Sequence, residues 1–229
     1  MTQSADCIPQ YHWFDFVQMS GTEGRRWVAG YARVQPLVKQ ILAPLELLRA
    51  GELETGSERL ARAGQALAGR EFEDPSLRAL LDRWYYGVLA FAHYARDEHD
   101  AADACIVRAL DALVEAVRLR GCLLVMVDDA FELVLHRARI ARNRRRWAEM
   151  WQHLDTADAL RGGRRPYGEF GDGSPVWVST LVDHLDNLPV PPEAQPVLRR
   201  LQDPDERRRA TENSIRTVVR LAGFIIPHP

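Results

Sequence analysis

Lysine is almost missing from this 229-residue chain: Lys39 is the only one, and every other basic residue of this type is arginine. GC-rich coding favours that bias. It also suits recognition of carboxylates and phosphates, because the guanidinium fork binds both bidentately. Cysteine is scarce too. Cys7, Cys105 and Cys122 are odd in number, far apart and without a CxxC pair, which argues against a disulfide framework or a zinc site and fits a reducing compartment. No run approaches the roughly 20 apolar residues of a membrane helix; the longest, around Cys122 to Val127, is far shorter. No membrane partner is expected. The first residues, MTQSADCIPQYHWFDF, lack a basic region followed by an apolar stretch, so they do not read as a secretory signal and a cytoplasmic location is expected. A formal charge of −2 supplies no global field for nucleic acid or anionic lipid.

What is present is ordinary for a folded, water-soluble chain. Hydrophobic residues make up 46% and charged residues 27%, above the range of disordered sequences. The length suits one large domain. Nothing alternates with period two, so an all-α fold of stacked antiparallel helix pairs is predicted. Residues 1–30 read as an irregular arm rich in aromatics (Tyr11, Trp13, Phe14, Phe16), and residues 31–229 as a single α-helical domain. Within that domain, residues 162–175 form the longest loop and a capped helix ends the chain.

Helix signals follow one another from Val34. Leu37, Ile41, Leu42, Leu45 and Leu48 share one side, with Pro44 interrupting. Residues 51–56 read as a turn, Ser57 as an N-cap, and Glu58 to Leu67 as a helix stopped by Gly69. Asp74-Pro75 is the clearest start signal, since Asp accepts from orphan N–H groups and Pro wastes no donor at the first helical position. The helix it opens is predicted to reach Arg96. After the turn at 97–100 a second helix runs to Arg120. A further pair is predicted over 123–142 and 147–160, and short links force such neighbours antiparallel. A helix is expected over 176–187. Asp203-Pro204 with Glu206 predicts a last, box-capped helix.

The packing positions repeat. Tyr86, Leu89, Ala90, Ala102, Ile106 and Ala109 give a large, large, small, small, large, small series; Val134, Ala138, Met150, Leu154 and Ala157 fall at equivalent offsets. Small residues allow close helix crossings and large ones fill the gaps. Residues 47–160 thus resemble the tetratricopeptide-like superfamily. Ala102 and Met150 are 48 positions apart, against about 34 in the standard repeat, so these helices are longer. A helical bundle of another topology accounts for the same pattern. The resemblance implies a concave surface lined by the first helix of each pair, binding a protein or peptide. By helix phase Trp84, Tyr85, His93, His136 and Arg139 are its candidates.

Two constellations carry other chemistry. Asp128, Asp129 and Glu132 form DDxxE, in which positions four apart share a helix face and could hold Mg²⁺. This resembles the first metal motif of class I terpene cyclases and prenyl-diphosphate synthases, yet no second metal motif accompanies it. Carboxylates near a helix start also suit the dipole. The arginine run from Arg137 to Arg146, with Arg142 and Arg145 inside it and Trp147 behind it, is what a nucleic-acid site would use. It is equally what a helix-pair tip looks like, and the near-neutral total charge favours the tip. The histidines show no metal spacing, and no GxSxG or phosphate-cradling GK[ST] occurs. The sequence therefore points to a non-catalytic adaptor or chaperone-like protein with a protein or peptide partner and no cofactor. The alternatives are a small-molecule enzyme or carrier using DDxxE, and a nucleic-acid binder using the arginine run. Homo-oligomerisation stays open.

Overall fold

The computed structural model describes residues 21–120, 125–166 and 203–220, together with 168–169, 173 and 175–176. The all-α prediction holds. Helices α1 (Gly21–Leu42), α2 (Pro44–Arg49), α3 (Leu53–Ala68), α4 (Pro75–Tyr94), α5 (His99–Arg120), α6 (Val125–Asn143) and α7 (Trp147–Arg161) follow in order, and α8 (Pro204–Arg220) comes last. Between α7 and α8 two-residue strands, β1 (Gly168–Glu169) and β2 (Pro175–Val176), pair antiparallel within the glycine-rich loop. Among the described residues no helix is long and apolar enough to cross a membrane.

Several boundaries differ from expectation for local reasons. The segment expected to be an irregular arm is helical from Gly21 onward, and Pro36 sits on the exposed side of α1, where its missing donor is cheap. Residues 1–20 lie outside the described residues. Ser57 is not an N-cap. The helix has already begun at Leu53, and the Ser57 hydroxyl instead accepts from Arg96 Nη2 at 2.6 Å. The same nitrogen donates to the Leu53 carbonyl at 2.9 Å, tying the end of α4 to the start of α3. Gly56, expected in the turn, lies inside α3, and a Cβ there would meet Leu48 at 2.8 Å, which favours glycine at that close approach. The helix expected over 176–187 lies outside the described residues, apart from Val176 in β2. Asp74 caps α4 as predicted, accepting from Ser76 N at 2.9 Å and Ser76 Oγ at 2.6 Å. Asp203 caps α8 through Asp205 N and Glu206 N.

Three helix links are built alike. In each, one residue has positive φ: Gly51 (86°), Asp97 (59°) and Arg145 (57°). Each donates to the carbonyl three residues back. The residue after it donates five back, as Glu52 to Leu47, Glu98 to His93 and Arg146 to Ala141. This is a Schellman closure, and in all three the next helix starts at the following residue. The links recur at intervals of 46 and 48 positions. Among the described residues there are thus three hairpins, α2–α3, α4–α5 and α6–α7, closed by one device.

The core forms where the packing series placed it. Ala90, Ala102, Ile106 and Ala109 are buried between α4 and α5, with Tyr86 and Leu89 packed against them. Val134, Ala138, Met150, Leu154 and Ala157 are buried between α6 and α7, joined by Phe131 and by Val218 from α8. Completely buried side chains of this kind contribute roughly 1.5–3 kcal/mol each for the larger aliphatics. Methyl-sized residues at the crossings let the backbones approach closely enough to achieve that burial.

Candidate functional site

Two helices from different hairpins, α4 and α6, lie side by side and run parallel. At one end Arg83 Nη2 of α4 forms an ion pair with Asp129 Oδ1 of α6 at 2.7 Å, and both side chains are largely buried. At the other end Asn143 Nδ2 of α6 donates to Tyr94 Oη of α4 at 2.7 Å. Ascending residue numbers on both helices fix the parallel sense. Between these two ties the helices stand apart and leave a cleft of about 330 Å³. That volume is at the small end of ligand pockets, which run from about 300 to 1,000 Å³.

The walls are mostly apolar. Trp84, Val88 and Phe91 come from α4, Leu133 and Ile140 from α6, and Ile106 from α5. Leu42 at the end of α1 and Leu45 on α2 close the remaining side. Gly87 sits in the middle of the α4 face. A Cβ built there would find only Arg83 Nη1, 3.9 Å away. The bare glycine therefore widens the cleft and leaves Arg83 Nη1 beside it. That nitrogen meets no acceptor among the described residues, and Nε of the same side chain is buried without a hydrogen bond.

The polar groups of the cleft are Arg49, Arg83, His136, Arg139 and Tyr94. Arg139 Nη1 lies 2.6 Å from His136 Nδ1. A guanidinium can only donate, so Nδ1 accepts and the ring proton resides on Nε2. His136 has surface open to the cleft while protein surrounds it. Burial first, then the positive charges of Arg139 and Arg83, hold its pKa down to about 4. The ring is neutral at pH 7. No family model, curated protein or solved structure matches the chain.

The sequence candidates divide sharply. Trp84, His136 and Arg139 line the cleft together. Tyr85 points elsewhere: it packs toward α3, where a Cβ on Gly64 would meet its ring and hydroxyl at 2.6–2.8 Å, and burial raises its pKa. His93 faces Glu98, with Nδ1 and Oε2 2.5 Å apart across the α4–α5 turn. Arg142 donates to the Val218 carbonyl at 2.9 Å and so holds α8 onto α6. Arg145 is exposed and forms the turn. Trp147 packs on the α6–α7 core. The rest of the arginine run is engaged within the fold. Arg137 makes a double contact to Asp103 at 2.7 and 3.0 Å, Arg144 pairs with Asp100, and Arg146 pairs with Glu149 at 3.3 Å.

Asp129 faces a guanidinium, Glu132 is half-buried on α6, and the side chain of Asp128 lies outside the described residues. Among the described residues no group of three or more His, Cys, Asp or Glu is placed to hold a metal ion.

Sequence reasoning missed Arg49, Arg83, Gly87, Tyr94 and Asn143. Arg83 and Gly87 carried a faint signal: an arginine and a glycine, one turn apart, interrupt the apolar stripe between Leu80 and Phe91. The partners Asp129 and Asn143 are tertiary, and no local pattern points to them.

Proposed function

We propose that this chain is a non-catalytic binding protein of the tetratricopeptide-like kind, an adaptor that receives a protein or peptide partner on the face formed by the first helices of its hairpins. The observation that carries this reading is the cleft between α4 and α6, both first helices, with Trp84, His136 and Arg139 on its walls. An aromatic-lined recess of this size accepts an anchoring side chain, and anchors of that kind supply most of the affinity at interfaces. The hairpin links repeated at Gly51, Asp97 and Arg145 favour a repeat architecture over a bundle of unrelated helices.

The rival readings have less behind them. A metal–diphosphate enzyme would need Asp129 as a ligand, but its carboxylate is engaged with Arg83. A nucleic-acid site would need free arginines, while Arg137, Arg142, Arg144 and Arg146 all bond within the fold.

Affinity capture from the native host tests the proposal, using the wild type beside Gly87→Leu. The variant places an isobutyl group in the open part of the cleft without a backbone clash. A discrete protein retained by the wild type and lost by the variant is expected. Retention of nothing, or equal retention by both, would refute the reading.

A further inference from the structure

The charge of the cleft does not match its apolar walls. Three guanidiniums line it. Arg83 is balanced by Asp129, and Arg49 by Glu46 at 3.3 Å. Among the described residues Arg139 has no carboxylate partner, and its Nη1 lies against the neutral ring of His136. One positive charge is therefore left over in a chamber walled by Trp84, Val88, Phe91 and Leu133. Positive charge at an apolar surface is costly unless an anion joins it.

The hydrogen-bonding inventory has the same bias. Arg83 Nη1, the remaining donors of Arg139 and the Nε2–H of His136 all offer protons. The carboxylate of Asp129 is engaged with Arg83, and the Tyr94 hydroxyl already accepts from Asn143. A complementary ligand must supply acceptor oxygens and one negative charge. A dianion would leave one charge uncompensated among apolar groups, which favours a monoanion. A carboxylate fits this count, and guanidinium forks bind it bidentately. The two ties, Arg83–Asp129 and Asn143–Tyr94, bridge the walls at both ends. Between them lies a partly open recess of about 330 Å³, the scale of a small molecule.

We propose that the recess is a small-molecule site for a monocarboxylate carrying an apolar, preferentially aromatic, body. The carboxylate lies against Arg139, Arg83 Nη1 and His136 Nε2, and the body packs on Trp84 and Phe91. This inference stands on the cleft alone and goes beyond the adaptor reading. If both hold, the small acid and the partner's anchoring side chain compete for one space.

Calorimetric or NMR titration decides it, with 3-phenylpropionate as the probe and its primary amide and phenyl phosphate as comparisons. Saturable one-to-one binding of the acid is expected, with the amide at least about tenfold weaker and the phosphate no tighter than the acid. Gly87→Leu should abolish acid binding. Arg139→Gln should weaken it at least about tenfold with the helical circular dichroism unchanged. The proposal is overturned if the acid does not saturate, if the amide binds equally, if phenyl phosphate binds more tightly, or if either variant binds the acid like the wild type. The probe titration does not involve a protein partner. Acid binding without Gly87-dependent capture would sink the adaptor reading alone, and capture without acid binding would sink this one alone.

Discussion

Asp97 and Arg145 occupy the same point of two successive hairpins, 48 positions apart, and both hold a left-handed backbone (φ 59° and 57°) that Gly51 fills in the first hairpin. The left-handed region costs an L-residue about 1–2 kcal/mol relative to glycine, and aspartate less than most. Arg145→Gly should therefore stabilise the protein by roughly 1 kcal/mol, and Asp97→Gly by less. Urea unfolding checks the order. A loss of stability in Arg145→Gly would show that its exposed side chain holds the turn by other means.

Three of the helix-interior glycines, Gly56, Gly64 and Gly87, should respond with opposite signs. At Gly87 a Cβ meets nothing closer than 3.9 Å, whereas at Gly64 it meets Tyr85 at 2.6 Å and at Gly56 Leu48 at 2.8 Å. Gly87→Ala should gain roughly 0.5–1 kcal/mol from helix propensity. Gly64→Ala and Gly56→Ala should lose about 1–3 kcal/mol through overpacking, less whatever propensity returns. Thermal melting of the three single variants reads the contrast directly.

The buried pair across the cleft predicts a non-additive cycle. Arg83→Leu and Asp129→Leu each leave one charge facing an apolar side chain, a loss of about 3–5 kcal/mol when a buried pair is broken. The double variant should lose clearly less than the sum of the two. Chemical denaturation of the four proteins in the cycle measures the coupling, and simple additivity would mean that the pair does not act as a unit.

Acid should weaken the fold in a defined window. The folded pKa of His136 is lowered to about 4 by burial, Arg139 and Arg83, while the unfolded value is near 6.5. Between those values the unfolded chain binds more protons, so stability falls as pH drops through that range and is unaffected by this group above it. His153, also lowered by burial and then by Arg137, adds to the same slope. His136→Gln should flatten part of the decline measured by melting temperature between pH 7 and pH 4.5. An unchanged profile would show that His136 titrates alike in both states.

The elements that the sequence disclosed are those set by local chemistry. Asp74-Pro75 opens α4 because capping and proline geometry act within four residues. Ala102, Ala109, Ala138 and Ala157 mark the crossings because only small side chains fit there. Ser57 misled because its cap signal is also local, yet Arg96, 39 positions on, uses the hydroxyl instead. The cleft was half legible: Trp84, His136 and Arg139 follow from helix phase. Arg83 did not, since its meaning depends on Asp129 in another hairpin. Arg142, Arg144 and Arg146 resembled a binding patch for the same reason, because their acceptors Val218, Asp100 and Glu149 are found by folding rather than by spacing, apart from the last.

Because α4 and α6 belong to different hairpins, the void between them is a gap in the seam that joins neighbouring units. Two polar ties span it, and the atoms facing empty space forgo the dispersion contacts that packed helices share. Beside the gap, Leu133 and Ile140 of α6 pack into the α4–α5 core and hold the two hairpins together. A molecule lodged beside Gly87 would therefore touch helices of both hairpins at once, and its size would bear on how α4 and α6 sit against each other.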